Sequence, residues 1–284
     1  MILVTGATGT IGTDVEKSLA AHGARVRALV RNPEKAKALG AGVEIVKGDL
    51  GDAASVAAAM QGVGKLFLLV SAGPEMVQQQ SNAIQAAKKA GVKQIVKLSA
   101  IGAQKGSKLS LGNWHGLTEE ELKSSGVPYT ILQPHSFMQN FLMQAGSVKG
   151  QGALYGASGE GKIAFIDTRD IADVAAKVLT SNGHEGKTYL LTGPEALTYG
   201  QVAEKLGKAV GKPVKYVDVP PAEQQKSLLA MGLPDWLAAD LAGMSAVFAK
   251  GGGARVSSAV KDITGKLGRT VDNFARDFAK AFQG

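Results

Sequence analysis

Short apolar runs and longer helix-forming stretches alternate along the first 135 residues. The runs Ile2–Thr5, Arg25–Val30, Val43–Lys47, Leu66–Val70, Gln94–Leu98 and Tyr129–Leu132 are mostly rich in Val, Ile and Leu, as strands buried on both faces should be. Between them, Ile11–Ala21, Pro33–Leu39, Ala53–Met60, Met76–Ala90 and Thr118–Ser124 carry the Ala, Gln, Glu and Lys that favour helix. The punctuation agrees. Asn32 stands as an N-cap before Pro33, and Gly91 and Gly126 each follow a helical run, where a left-handed cap is commonly needed. This alternation predicts an α/β protein of Rossmann type, with a doubly wound parallel sheet.

After Phe137 the rhythm changes. Glycine is dense from Gly146 to Gly161, followed by a helix at Asp170–Thr180, a strand at Thr188–Leu191, a helix at Tyr199–Val210 and a strand at Val214–Val219. Helices at Ala222–Met231, Asp235–Ala249 and Val271–Phe282 complete the chain. The expected division is a dinucleotide-binding domain over 1–150, with the last sheet elements returning from 151–195, and a smaller α+β substrate segment over 151–284.

Composition narrows the class. Hydrophobic residues make up 45% and charged residues 20% of the 284, ordinary for a globular protein. The lack of cysteine excludes disulfides, thiolate metal sites and cysteine nucleophiles, and four scattered histidines offer no metal-ligand spacing, so no metal is expected. A first strand beginning at Ile2 leaves no room for a signal peptide, and no apolar run approaches the roughly 20 residues of a membrane span. The expectation is a cytoplasmic protein away from the membrane, monomeric or homodimeric. The net charge of +8 divides into +6 over residues 1–150 and +2 over 151–284, but the lysines are scattered, the longest basic run being Lys88–Lys89. That pattern fits a small polyanionic ligand better than nucleic acid.

The strongest motif is Gly6-x-x-Gly9-x-x-Gly12, directly after a strand and directly before a helix. Glycine lets the backbone turn tightly and approach a pyrophosphate, while free N–H groups at the helix start, from Thr8 through Thr10 and Ile11, bind the anion. Gly12 lets helix and strand pack closely. An NAD site usually has an acid at the end of the second strand; here Val30 is followed by Arg31, with Asn32 next and Lys35 a turn further. A guanidinium suits a 2′-phosphate, so NADP(H) is the expected cofactor. Asp49-Leu50 either meets the adenine or forms a turn or N-cap. Val70, Ser71, Ala72 and Ser99 end the fourth and fifth strands, where such sheets bind ligands.

The segments TGATGTIG, VRNPEKA, KGDL, LSAIGA and SGVPYTILQPHSFMQNF resemble the NmrA-like, atypical short-chain dehydrogenase/reductase family over nearly the whole chain, nearest to its bacterial quinone and triphenylmethane-dye reductases. The resemblance implies a Rossmann domain, a small C-terminal substrate domain and a cleft between them. It places Ser99 at the superfamily's serine and Pro134-His135 near the nicotinamide. The superfamily's usual Tyr-x-x-x-Lys pair is absent: on the family pattern Asn113 and Leu117 stand in those places, and neither performs that proton chemistry. Carbonyl reduction or sugar epimerisation of the usual kind is disfavoured.

A quinone or cationic dye is already a strong hydride acceptor and needs chiefly proximity and orientation. Trp114, Phe137, Met138 and Phe141 are the candidates for stacking on a planar acceptor, although Phe137, Met138 and Phe141 at helical spacing equally describe a core. Ser99 and His135 are the candidate proton-handling residues. His135 reads as a donor or as a satisfied structural histidine, and His115 more strongly as the latter. Two functions result: an NADPH-dependent reductase of quinone-like or planar conjugated acceptors acting by direct hydride transfer, or an NADP(H)-binding redox sensor with a regulatory protein partner and no turnover.

Overall fold

The computed structural model describes residues 1–40 and 42–283, which form two compact units. Of these described residues, one unit takes those within Met1–Pro134, Thr168–Leu190 and Asp262–Gly265; the other takes His135–Asp167, Leu191–Lys261 and those from Lys266 onward. The chain leaves the first unit at Pro134 rather than at the expected 150. The reason is packing: the segment just after Pro134 buries Met138, Phe141 and Val148 in the core of the second unit.

The first unit opens with β1 (Ile2–Val4), α1 (Thr10–Ala21), β2 (Val26–Val30), a 3₁₀ turn at Pro33–Ala38 and β3 (Glu44–Lys47). It continues with α2 (Ala53–Ala59), β4 (Lys65–Leu68), α3 (Met76–Lys89), β5 (Gln94–Leu98), α4 (Ser110–Ser124) and β6 (Tyr129–Pro134). The seven-stranded sheet has the order β3-β2-β1-β4-β5-β6-β8, where β8 is Lys187–Leu191. The pairings from β3 across to β6 are parallel, with Leu3 opposite both Arg27 and Leu66, and Val96 opposite Thr130. Strand order reverses between β1 and β4, which opens a crevice at their carboxyl ends. The central strands are apolar because both faces are covered, so Leu3, Leu66, Phe67, Leu68 and Ile95 are fully buried. β3 lies at the edge, and its residues are largely exposed.

Two local expectations change. Pro33–Ala38 is 3₁₀ rather than α, a short capped turn that gives way to extended backbone at Leu39. The helix expected at Thr118–Ser124 begins at Ser110. Gly112 and Gly116 weaken the local helix signal, by ~0.5–1 kcal/mol each. Packing requires them: a Cβ at Gly116 would lie 2.2 Å from the backbone of Gln104 and Lys105.

In the second unit a 3₁₀ stretch (Met138–Gln144) leads into α5 (Ala145–Gln151) and β7 (Ala153–Gly156). α6 (Thr168–Thr180) belongs to the first unit, while α7 (Tyr199–Val210), β9 (Lys215–Asp218), α8 (Pro221–Ala230) and α9 (Asp235–Ala249) belong to the second. β7, hidden in the glycine-dense stretch, pairs in parallel with β9. α10 (Ala259–Thr264) follows, and the helix expected at Val271–Phe282 divides at Phe278 into α11 (Val271–Asp277) and α12 (Ala279–Phe282). No helix among the described residues is long and apolar enough to cross a membrane.

Candidate active site

The glycine turn is built from the end of β1. The Thr5 hydroxyl donates to the Leu69 carbonyl at 2.8 Å and accepts from the Leu69 amide at 2.9 Å, tying β1 to the chain leaving β4. Gly6 then adopts a left-handed φ of 64°, and a Cβ there would sit 2.8 Å from the Leu69 side chain. Gly9 is the N-cap of α1 and offers no side-chain cap, and no acid occupies the first turn. The helix start therefore presents uncapped N–H groups and the positive end of its dipole, the arrangement that holds a pyrophosphate. Thr8, Gly9 and Thr10 are exposed, whereas Ile11 is buried beneath them. Gly12 serves a closer contact than the expected helix–strand one: its Cβ would fall 2.2 Å from the Gly6 carbonyl oxygen. The turn is compact enough that any side chain at 12 would spread it.

β2 ends at buried Val30, and Arg31 and Lys35 follow as exposed cations. Asn32 accepts the Glu34 amide at 3.0 Å and caps the 3₁₀ turn. Asp49 is in an Asx turn, its Oδ1 accepting the Gly51 amide at 2.8 Å, so the turn reading describes what its carboxylate does. Leu50 packs on the core and its carbonyl accepts from Asn82. Val70 is half-buried, with Ser71 and Ala72 exposed beyond β4.

Ser99, just past β5, is buried. Its hydroxyl donates to Glu119 Oε1 at 2.6 Å, and the same oxygen accepts Gln133 Nε2 at 2.8 Å. Glu119 Oε2 pairs with Lys123 at 3.2 Å. The serine proton is thus committed to a structural carboxylate. Two residues back on the same strand face, fully buried Lys97 meets His115 Nδ1 at 3.0 Å and lies 3.4 Å from the Leu98 carbonyl. Burial pushes the Lys97 ammonium down to about 7, against the opposing pull of Glu119. Burial and the Lys97 charge hold His115 far below its ordinary range, so its ring is neutral. Lys97, Glu119 and Gln133 were not legible as site residues, although a signal exists. A lysine and a serine two apart on an apolar strand face one side, and His115 and Glu119, four apart, share a helix face.

The expected tyrosine and lysine positions both lie in α4. Asn113 Oδ1 accepts the Gly106 amide at 2.8 Å, holding the preceding loop, and Leu117 is half-buried. Trp114 on the same helix is also half-buried.

In the second unit His135, which follows buried Pro134, is 1% exposed. Its Nδ1 accepts the Ser136 amide at 2.7 Å and its ring lies 5.4 Å from that of Phe248. Burial pushes it down to about 4, the Gly253 carbonyl opposing, although Nε2 completes no hydrogen bond. It is a buried, neutral histidine. Met138 and Phe141 are likewise core: Phe141 packs edge-on against Phe165 at 5.0 Å and Tyr199 at 5.6 Å. Of the three residues at helical spacing, Phe137 alone keeps substantial exposed surface.

Glycine turn, uncapped helix and switch point together define a Rossmann-type dinucleotide-binding protein. The chain belongs to the NmrA-like family, whose profile matches residues 1–275. It is 40% identical to the NAD(P)H azoreductase of Xenophilus azovorans over 99% of both chains. It is 41% identical to quinone oxidoreductase 2 of Escherichia coli over 89% of both. The structure of the Escherichia coli NADPH-dependent quinone oxidoreductase in complex with NADPH superimposes with a TM-score of 0.90 at 38% identity, covering 98% of this chain and 99% of that one. The Citrobacter triphenylmethane reductase complexed with NADP(H) gives 0.87 at 30% identity, covering 98% and 100%.

Proposed function

We propose that this chain is an NADPH-dependent reductase that delivers hydride directly to quinone-like or other planar conjugated acceptors, without a tyrosine–lysine pair. The observation that carries the reading is the pairing of an anion-binding glycine turn with a second strand that is followed by exposed cations. Gly6, Gly9 and Gly12 shape the pyrophosphate cradle, and the amides of Thr8, Thr10 and Ile11 line it. Arg31 and Lys35 hold the 2′-phosphate, with Asn32 fixing the turn that carries them. Leu50 and the Val70–Ala72 segment flank the adenosine side, and Trp114 offers a flat apolar surface to the acceptor.

Bound NADPH supplies the hydride. The protein's task is then to orient, to exclude water from the reacting atoms and to manage one proton. Asn113 and Leu117 do none of the acid–base work of a tyrosine–lysine pair, which favours acceptors that are electrophilic without activation.

The test is a spectrophotometric NADPH-oxidation assay with a panel of benzoquinones, azo dyes and triphenylmethane cations, run beside NADH. Acceptor-dependent loss of NADPH, much slower with NADH, is the expected result. No turnover across the panel, with NADPH binding intact by titration, would overturn the reading in favour of a dinucleotide sensor.

A further inference from the structure

We propose that His115 and Lys97 form a proton path to the reduced acceptor, His115 Nε2 donating and Lys97 replenishing it through Nδ1, for acceptors of the quinone class. The proposal rests on the reductase reading above and assigns the proton that reading leaves unplaced.

The argument is by chemistry and position. A quinone that takes a hydride becomes an oxyanion and must gain a proton. Ser99 donates to Glu119, so its proton is engaged. Lys97 is the next polar residue on that strand face, and its Nζ donates to His115 Nδ1 at 3.0 Å. While Lys97 is an ammonium it has no lone pair, so Nδ1 accepts and the imidazole proton resides on Nε2. Among the described residues Nε2 has no hydrogen-bond partner, and His115 as a whole keeps part of its surface accessible. Its place is fixed by close packing: Gly112 and Gly116, on either side of it along α4, lie tight against Ser107 and the backbone of Gln104 and Lys105. That packing holds α4 against the loop leaving β5, while the His115 side chain meets Lys97 on β5 itself.

The step balances. As the acceptor is reduced, its carbonyl electron pair moves to oxygen. That oxygen takes the proton from Nε2, Nδ1 takes one from the Lys97 ammonium, and Lys97 is left as a neutral amine. Solvent then protonates Nε2 as the Nδ1 proton returns to Lys97, so the ring is never doubly protonated. Without Lys97, donation from the neutral ring would leave an imidazolate, far too basic an intermediate. The groups facing Lys97 are His115, Glu119 and Lys123, all on α4. Glu119 favours the charged amine while burial and Lys123 oppose it, which keeps the pair able to give and regain a proton near neutrality.

The test compares wild type with Lys97→Met and His115→Phe, using 1,4-benzoquinone and a triphenylmethane cation as acceptors. The cation becomes neutral on taking a hydride and needs no proton. In both variants the ratio of quinone kcat to dye kcat should fall at least ~10-fold, with the quinone KM little changed. In the wild type the quinone kcat should decline above about pH 7, and this decline should vanish in Lys97→Met. Independently of turnover, ¹⁵N NMR of the His115 ring should titrate with that same midpoint in wild type and not in Lys97→Met. Unchanged acceptor ratios and an unaltered pH profile in the variants would overturn the proton path while leaving the reductase reading standing. Failure of wild type to reduce either acceptor would remove the reductase reading and this proposal with it. A His115 ring silent from pH 5 to 9 would also overturn the coupling.

Discussion

Gly12 approaches Gly6 so closely that a Cβ on Gly12 would lie 2.2 Å from the Gly6 carbonyl oxygen. The contact is between two parts of one turn, and backbone cannot retreat as the end of a flexible side chain can. Gly12→Ala should therefore widen the turn and weaken NADPH binding by tenfold or more, about 1.4 kcal/mol or above. Fluorescence titration with NADPH checks this. Affinity within twofold of wild type would show that the turn accommodates a methyl group and that its compactness is not what binds the cofactor.

Arg31 follows a buried strand end with no acid beside it and is itself exposed. Arg31→Glu should leave thermal stability unchanged while raising the KM for NADPH roughly 10- to 100-fold, the scale of losing a charged hydrogen bond of about 1.5–3 kcal/mol. The KM for NADH should move little. Equal losses with both cofactors would place Arg31 away from the 2′-phosphate.

Ser99 and Glu119 give a cleaner distinction between structure and catalysis. Ser99→Ala removes the 2.6 Å bond but leaves Gln133 and Lys123 on the carboxylate. The expected cost is about 1–3 kcal/mol in denaturant unfolding, with kcat within roughly threefold of wild type. A loss of kcat by orders of magnitude in a stably folded variant would restore the serine as a reacting group.

Glu16 on α1 is 2% exposed, and neither carboxylate oxygen has a hydrogen-bond partner among the described residues. Burial pushes its carboxyl up from 4.5 to about 7. The folded state then holds more protons than the unfolded one between those values, so this residue's contribution is best below pH 4.5 and declines as pH rises through 7. The full loss amounts to at most about 3 kcal/mol. Glu16→Gln should flatten the stability profile between pH 5 and 8, and Glu16→Leu should raise stability at pH 8. A wild-type profile already flat across that range would mean that the carboxylate finds water or a partner.

Much of the first unit was readable because its information is local. A parallel sheet covered on both faces needs continuous apolar strands, and Leu66–Leu68 and Ile95–Val96 declare themselves as such. The glycine turn is equally local, since strand, tight turn and helix start are consecutive in the chain. The part of α4 before Thr118 was not readable, because Gly112 and Gly116 argue against helix until the loop they press upon is known. The same holds for β7, whose strand identity depends on β9, far along the chain.

The sequence by itself determined the parallel α/β layering, the place of the anion-binding turn and the absence of an acid after β2, all set by residue type at short range. Tertiary structure decided which polar groups are committed and which stay available. Whether Ser99, His135, Met138 and Phe141 face a ligand or the interior depends on partners such as Glu119, Phe248 and Phe165 that chain topology brings from elsewhere. Lys97 is the sharpest case: as a residue type it is a surface cation, and only full burial beside His115 turns it into a group that exchanges its proton near neutrality.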